Sequence, residues 1–307
     1  MAQLDTQALA AFIAVAEHSS FSVAAEHLHL TQPAVSKRVA LLEQQLGQPV
    51  FDRIRRRVHL TEAGATLLPL AKKILLDLSD AAQRINDLQH RVGGDLSIAF
   101  SHHIGLHRLP PYLRHFSMKH PNAHLNIRFI DSEAAYRMVT AGDIELAVIT
   151  LSPDPQPHIH TTPLWTDPLA FVCSPDHALH LRDNVSLQQL SEHYAILPSA
   201  GTYTGKLIAQ LFEEQSLTID KLLSTNYLET IKMMVSIGLG WSVLPKTMTE
   251  SLEEMHVPDH YIERQLGVIQ YADRRLSNAA RAFRDMLQLP PEKLTPLVAT
   301  TATDLSQ

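Results

Sequence analysis

Apolar residues recur three and four apart in three short runs near the start of the chain, the spacing of amphipathic helices. Leu9, Phe12, Ile13 and Ala16 make the first stripe. Ala24, Ala25 and Leu28 make a smaller second one, with Ser22 as its expected cap. Val35, Val39, Leu42 and Leu46 make the third, opened by Thr31 as N-cap with Pro33 in the first turn and closed by Gly47. Small residues in the second run allow the close helix approach of a helix-turn-helix. Farther on, Leu68, Ala71, Leu75, Leu78, Ala82 and Ile85 alternate three and four apart in a helix predicted from Thr61 to about Val92. That is a heptad seam suited to pairing two subunits. Pro69 predicts a kink near its start, and Gly93-Gly94 ends it.

Beyond Asp95 the pattern changes to strands alternating with helices. Strands are expected at 96–100, 125–130 and 145–149, with helices at 107–120 and 133–141, an order that implies a parallel sheet. Residues 152–168 hold five prolines and predict a linker or edge region. A second unit follows, with strands at 170–173, 194–197, 222–226 and 241–244 and helices from Thr202 to about Gln215 and over 228–237. The chain then returns through a strand at 264–271 and a helix at 277–288, and the polar tail after Pro290 is expected to be disordered.

The net charge of −6 argues at first against nucleic acid, but its distribution reverses the picture. Residues 37–57 carry six Lys/Arg against two acidic residues, whereas residues 93–307 carry sixteen against twenty-three. On the outer face of the third helix, Gln32 and Ser36 stand one turn apart, short enough to read base edges. Lys37, Arg38, Arg53, Arg55, Arg56 and Arg57 supply phosphate contacts. One cysteine, Cys173, excludes an internal disulfide framework and a cysteine-based metal site. No apolar run approaches a membrane span, and the N-terminus lacks the features of a signal peptide, so a cytoplasmic protein is expected.

Residues 4–64 resemble the winged helix-turn-helix of the LysR-type transcriptional regulators. The matching positions are Phe12, Val15, Ala16 and Phe21; Ala24-Ala25 and Leu28; Thr31-Gln32-Pro33-Ala34-Val35-Ser36; Leu42-Glu43 and Leu46-Gly47; Phe51, Arg53 and Arg56; and Leu60-Thr61-Glu62-Ala63-Gly64. Length and segment order extend the likeness over nearly the whole chain; the run Arg55-Arg56-Arg57 is denser than the family pattern needs. The resemblance implies an α/β protein: an N-terminal winged helix-turn-helix (1–60), a long linker helix for dimerisation (61–92) and a C-terminal two-lobed effector domain (93–307) like the periplasmic binding proteins. Lobe I would span about 93–165 plus 270–290, and lobe II about 166–269. It implies a non-enzymatic regulator that binds double-stranded promoter DNA and assembles as a homodimer and then as a tetramer, a dimer of dimers. It also implies a small-molecule effector and contact with RNA polymerase.

In open parallel sheets, ligands sit beyond the carboxyl ends of the strands. Here those ends carry Ser101, His102 and His103; Asp131; Thr150; Ser199, Ala200, Thr202 and Tyr203; and Asn226 and Tyr227. Hydroxyls and free N–H groups at helix starts favour a carboxylate as co-inducer. His102 and His103 are expected to add positive character, and Asp131 to pair with an ammonium or a histidine or to cap the next helix. No metal or other cofactor is expected: the pairs His102-His103, His158/His160 and His177/His180 come without partner ligands, and the nucleophile-elbow, phosphate-loop and dinucleotide motifs are missing. The competing reading is a soluble small-anion-binding protein with no direct DNA role, which leaves the first 90 residues unexplained.

Overall fold

A computed structural model describes residues 4–54, 57–87, 92–272 and 274–294, and the chain divides into two compact units, Met1–His90 and Arg91–Gln307. The first unit opens with α1 (Thr6–His18), α2 (Phe21–His27) and α3 (Gln32–Leu46). Each begins at a side-chain cap: Asp5, Ser20 and Thr31 accept from the N–H groups of Gln7, Val23 and Ala34. Ser20 thus caps α2, and the expected cap Ser22 lies inside the helix. Gly47 closes α3 at φ 69°, a backbone region open to glycine without strain. Leu9, Phe12 and Val15 of α1 meet Ala24, Ala25, Val35, Val39 and Leu42 in a closed core. Phe51 joins it through ring contacts to Phe12 (5.3 Å) and Phe21 (5.8 Å).

The wing is the antiparallel pair β1 (Phe51–Ile54) and β2 (Arg57–Leu60). Thr61 then starts α4 (Glu62–Asp87), its hydroxyl accepting from Gly64 N–H and donating to the Pro49 carbonyl. Pro69 lies within α4. A Lys72–Glu17 ion pair of 2.6 Å ties the helix to α1. Ala71 is fully buried in the core of this unit, and Leu68 and Leu75 pack against that core. These three positions of the expected seam are therefore engaged within the chain. The apolar residues left open on α4 are Leu70, Ile74, Leu78 and Ile85, with Ala82 exposed beside them. Residues 88–91, within the last turn of the helix expected to run to about Val92, lie outside the described residues.

The second unit contains β3 (Gly94–Phe100), α5 (His102–His107), α6 (Pro110–Lys119), β4 (Ala123–Phe129), α7 (Ser132–Ala141), β5 (Leu146–Thr150) and β6 (Ile159–Cys173). It continues with α8 (Leu187–Glu192), β7 (Ala195–Leu197), α9 (Tyr203–Glu213), β8 (Leu222–Ser224), α10 (Leu228–Ser236), β9 (Ser242–Pro245), β10 (Glu253–Met255), β11 (Ile262–Tyr271) and α11 (Asn278–Leu287). Parallel pairing holds for β3 with β4 and β5, as expected. The expected helix at 107–120 is α6, which starts at Pro110-Pro111, and α5 is a further short helix before it.

Of the two readings of 152–168, linker or edge region, the edge holds: residues 159–168 are strand. β6 and β11 run antiparallel over 159–173 and 262–271. At one end β11 also pairs with β5, and at the other β6 also pairs with β9 and β10. These two strands are the crossings between two α/β halves. Pro163 and Pro168 are tolerated because residues 159–168 of β6 pair only with β11, leaving an open edge where a missing N–H costs nothing. One core gathers Phe100, Phe116, Val148, Leu266 and Phe283, and a second gathers Phe171, Leu190, Phe212, Trp241 and Ile262. Past Pro290 the chain makes a short 3-10 turn at Pro291–Lys293; residues 295–307 lie outside the described residues.

Candidate functional site

The outer face of α3 is polar and open. Gln32, Pro33 and Lys37 are exposed, and Ser36 is half-buried beside them. Gln32 Nε2 donates to Ser36 Oγ at 3.2 Å. That bond fixes the amide while leaving its second N–H and its carbonyl oxygen, the donor–acceptor pair that matches the major-groove edge of adenine. Thr31 spends its hydroxyl as a cap. Arg38 is half-buried and donates from Nη2 to Gln7 Oε1 at 2.8 Å, so its guanidinium is held against α1. In the wing, Arg53 and Arg57 lie on β1 and β2; Arg55 and Arg56 lie outside the described residues.

The second unit holds a partly open cavity of about 60 Å³ where the starts of α5, α7, α9 and α10 converge on β5 and β11. Of the expected ligand residues, Ser101, His102, His103, Asp131, Thr150, Thr202, Tyr203 and Asn226 line it. Three do not. Ser199 gives its N–H to Asn226 Oδ1, Ala200 is exposed, and Tyr227 packs edge-on against the His102 ring at 4.9 Å. Thr202 lines the wall, but its hydroxyl is spent: it donates to the Ser199 carbonyl and accepts from Gly205 N–H as the α9 cap. Gly205 is required there, since a Cβ would stand 2.0 Å from the Ser199 carbonyl oxygen. Asp131 does not cap α7; its carboxylate accepts from Asn226 Nδ2.

The hydroxyls that remain available are elsewhere. Ser132 Oγ accepts from Thr150 N–H and shares one hydrogen bond with Ser101 Oγ. Whichever serine donates, the pair keeps one uncommitted hydroxyl proton. Thr150 is 4% exposed, and its hydroxyl has no partner among the described residues.

The chemistry of the cavity centres on Arg264, a residue not anticipated. Its side chain is 4% exposed. Nε donates to Asp167 Oδ2 (2.9 Å), Nη1 to Thr204 Oγ1 (2.7 Å) and Nη2 to His103 Nε2 (2.9 Å). These bonds use three of the five guanidinium N–H groups and leave two. Asp167 is shared with Arg108 Nη2 at 2.8 Å, so two cations divide one carboxylate. Burial pulls the Arg264 pKa below its ordinary value, and Asp167 opposes that pull.

His103 was expected to be a cation, and the geometry reverses this. Its Nε2 accepts from a guanidinium, which has no acceptor of its own. Burial first, then the charges of Arg264 and Arg108, push its pKa well below the ordinary 6.5. His103 is therefore a neutral acceptor, and Arg264 is the cation. The signal lay in the alternation of Ile262, Arg264 and Leu266, which places a charge at an inward-facing strand position.

A compact helix-turn-helix with a basic wing, joined to an α/β unit built around a polar cavity, defines a DNA-binding regulator with a ligand-binding domain. Residues 6–65 match the model of the bacterial regulatory helix-turn-helix proteins of the lysR family, and residues 89–289 match the LysR substrate binding domain. The chain belongs to the LysR family. It is 31% identical to the HTH-type transcriptional regulator CfxR of Cupriavidus necator over 92% of this chain and 91% of that one. The fold is shared with full-length CbnR in complex with its target DNA (TM-score 0.61, 20% identity, covering 92% of this chain and 99% of that one). It is shared too with the effector binding domain of QuiR in complex with shikimate (TM-score 0.57, 19% identity, 64% of this chain and 96% of that one). Among the described residues, no single helix is long and apolar enough to cross a membrane.

Proposed function

We propose that this LysR-type transcriptional regulator reads promoter DNA through Gln32, Ser36 and Lys37 of α3 and answers to a small carboxylate held in the cavity by Arg264. The DNA half rests on the open polar face of α3 and the positive excess of residues 37–57. Pairing of two subunits is assigned to the open stripe Leu70, Ile74, Leu78 and Ile85 of α4, with a dimer of dimers as the complete assembly.

One observation carries the ligand half: a buried guanidinium with two unengaged N–H groups lines a cavity together with the Ser101–Ser132 pair and the free hydroxyl of Thr150. Desolvated charge-assisted donors of this kind suit an anion with two oxygens. Because Arg264 lies on one crossing strand, bonds Asp167 on the other, and touches α5 and α9, a ligand on it bears on both halves at once.

Calorimetry of the full chain with small mono- and dicarboxylates tests the assignment. Thr150→Val, which keeps the shape and removes the hydroxyl, should weaken the binding acid about tenfold, and Arg264→Gln more. Circular dichroism establishes that each variant is folded. Wild-type affinity in both folded variants, or no carboxylate binding to the wild type, overturns the site.

A further inference from the structure

Arg264 is not the only charge facing the cavity: Asp131 and Glu133 line it as well. Each carboxylate spends one oxygen on the protein. Glu133 Oε1 accepts from Tyr203 N–H at 2.6 Å, and Asp131 Oδ2 accepts from Asn226 Nδ2 at 3.2 Å. The second oxygen of each has no partner among the described residues, and neither carboxylate has a cation within ion-pair distance there. With His103 neutral, the site holds two positive charges, Arg108 and Arg264, against three negative ones, Asp167, Asp131 and Glu133. A plain carboxylate adds a fourth negative charge. A ligand that carries an ammonium beside its carboxylate adds no net charge, and its three N–H donors match the two unengaged carboxylate oxygens.

We infer that the effector is a small zwitterion of the α-amino acid class, its carboxylate on Arg264 and its ammonium on Glu133 and Asp131. This rests on the carboxylate reading above and adds the cationic half. The Glu133–Tyr203 contact stays intact, because the ammonium takes the other oxygen. Glycine, alanine and serine, the smallest members of the class, present both charged groups with the least demand on the walls of the cavity. Thr150, whose hydroxyl has no partner among the described residues, lines the same cavity and offers a further polar contact to such a ligand.

Matched probes on the full chain decide it. Calorimetry compares glycine, L-alanine and L-serine with acetate, propionate and 3-hydroxypropionate and with methylamine, ethylamine and ethanolamine. At least one amino acid should bind, with its deaminated and decarboxylated partners about tenfold weaker or more. Glu133→Gln keeps an acceptor for Tyr203 N–H and should remove most of the preference for the amino acid over its deaminated partner; Asp131→Asn should act in the same direction. A deaminated acid that binds as tightly as its amino acid overturns the zwitterion and leaves the carboxylate site standing. Amines binding alone overturn both readings. No binding by any of the nine probes overturns the small-zwitterion assignment, and the carboxylate site is then judged by the Thr150 and Arg264 variants. Unchanged discrimination in folded Glu133→Gln and Asp131→Asn overturns the placement of the ammonium.

Discussion

Protonation of His103 should destabilise the ligand-binding unit in a pH window set by its surroundings. In the folded chain His103 accepts from Arg264 and is held neutral, its pKa well below 6.5 through burial and the two nearby arginines. In the unfolded chain it returns to about 6.5. The unfolded state therefore takes up the extra proton first as pH falls. The stability that this difference supports is complete above about pH 6.5 and declines below it by up to about 1.4 kcal/mol per pH unit, until the folded pKa is reached. His120 and His177, both lowered mainly by burial, tilt the curve the same way. The comparison with His103→Gln isolates the site, since glutamine can accept from Arg264 but gains no proton. Trp165 and Trp241 are the only tryptophans, and both lie in the Arg91–Gln307 unit, so urea unfolding followed by tryptophan fluorescence reports on that unit alone. Between pH 7.5 and 5.5 the wild type should lose more than His103→Gln, by up to about 1.4 kcal/mol. Equal losses in the two proteins refute a neutral His103 under Arg264.

Three further outcomes follow from the geometry. Leu78→Asp, on the open stripe of α4, should shift analytical ultracentrifugation toward monomer with helix content kept, whereas Ala71→Asp, in the core, should lower the thermal midpoint of the N-terminal unit. Lys37→Ala should weaken binding to all duplexes and flatten the salt dependence by about one unit, read from filter binding at several salt concentrations. Thr202→Ala, which removes the α9 cap, should cost about 1 kcal/mol of stability in urea titration, and Thr202→Ser should restore it.

The helix-turn-helix was legible because its three signals agree: apolar spacing at Val35, Val39 and Leu42, a cap at Thr31, and Gly47 in a left-handed turn. The seam of α4 was read only in part. Spacing of three and four marks apolar faces but does not say what covers them, and Leu68, Ala71 and Leu75 turned out to face their own core. The prolines of 152–168 left a linker and an edge region open, and the edge holds over 159–168, where β6 pairs only with β11. Helix α8 carries a capping box, Ser186 with Gln189, a signal that six residues of apolar pattern are too short to reinforce. Strand ends located most of the cavity wall. They could not reveal Arg264 or Asp167, which lie within strands paired across nearly a hundred residues.

Selection from random-sequence duplexes by the full chain, with sequencing of the bound fraction, tests the central claim most directly. The wild type should enrich a two-fold-related motif whose half-sites lie about one helical turn, or a multiple of it, apart. Gln32→Ala should lose discrimination at one A·T pair in each half-site, worth about 1–3 kcal/mol, while the spacing stays. Enrichment of the same bases by the variant, or no enriched motif with the wild type, contradicts sequence reading by this face of α3.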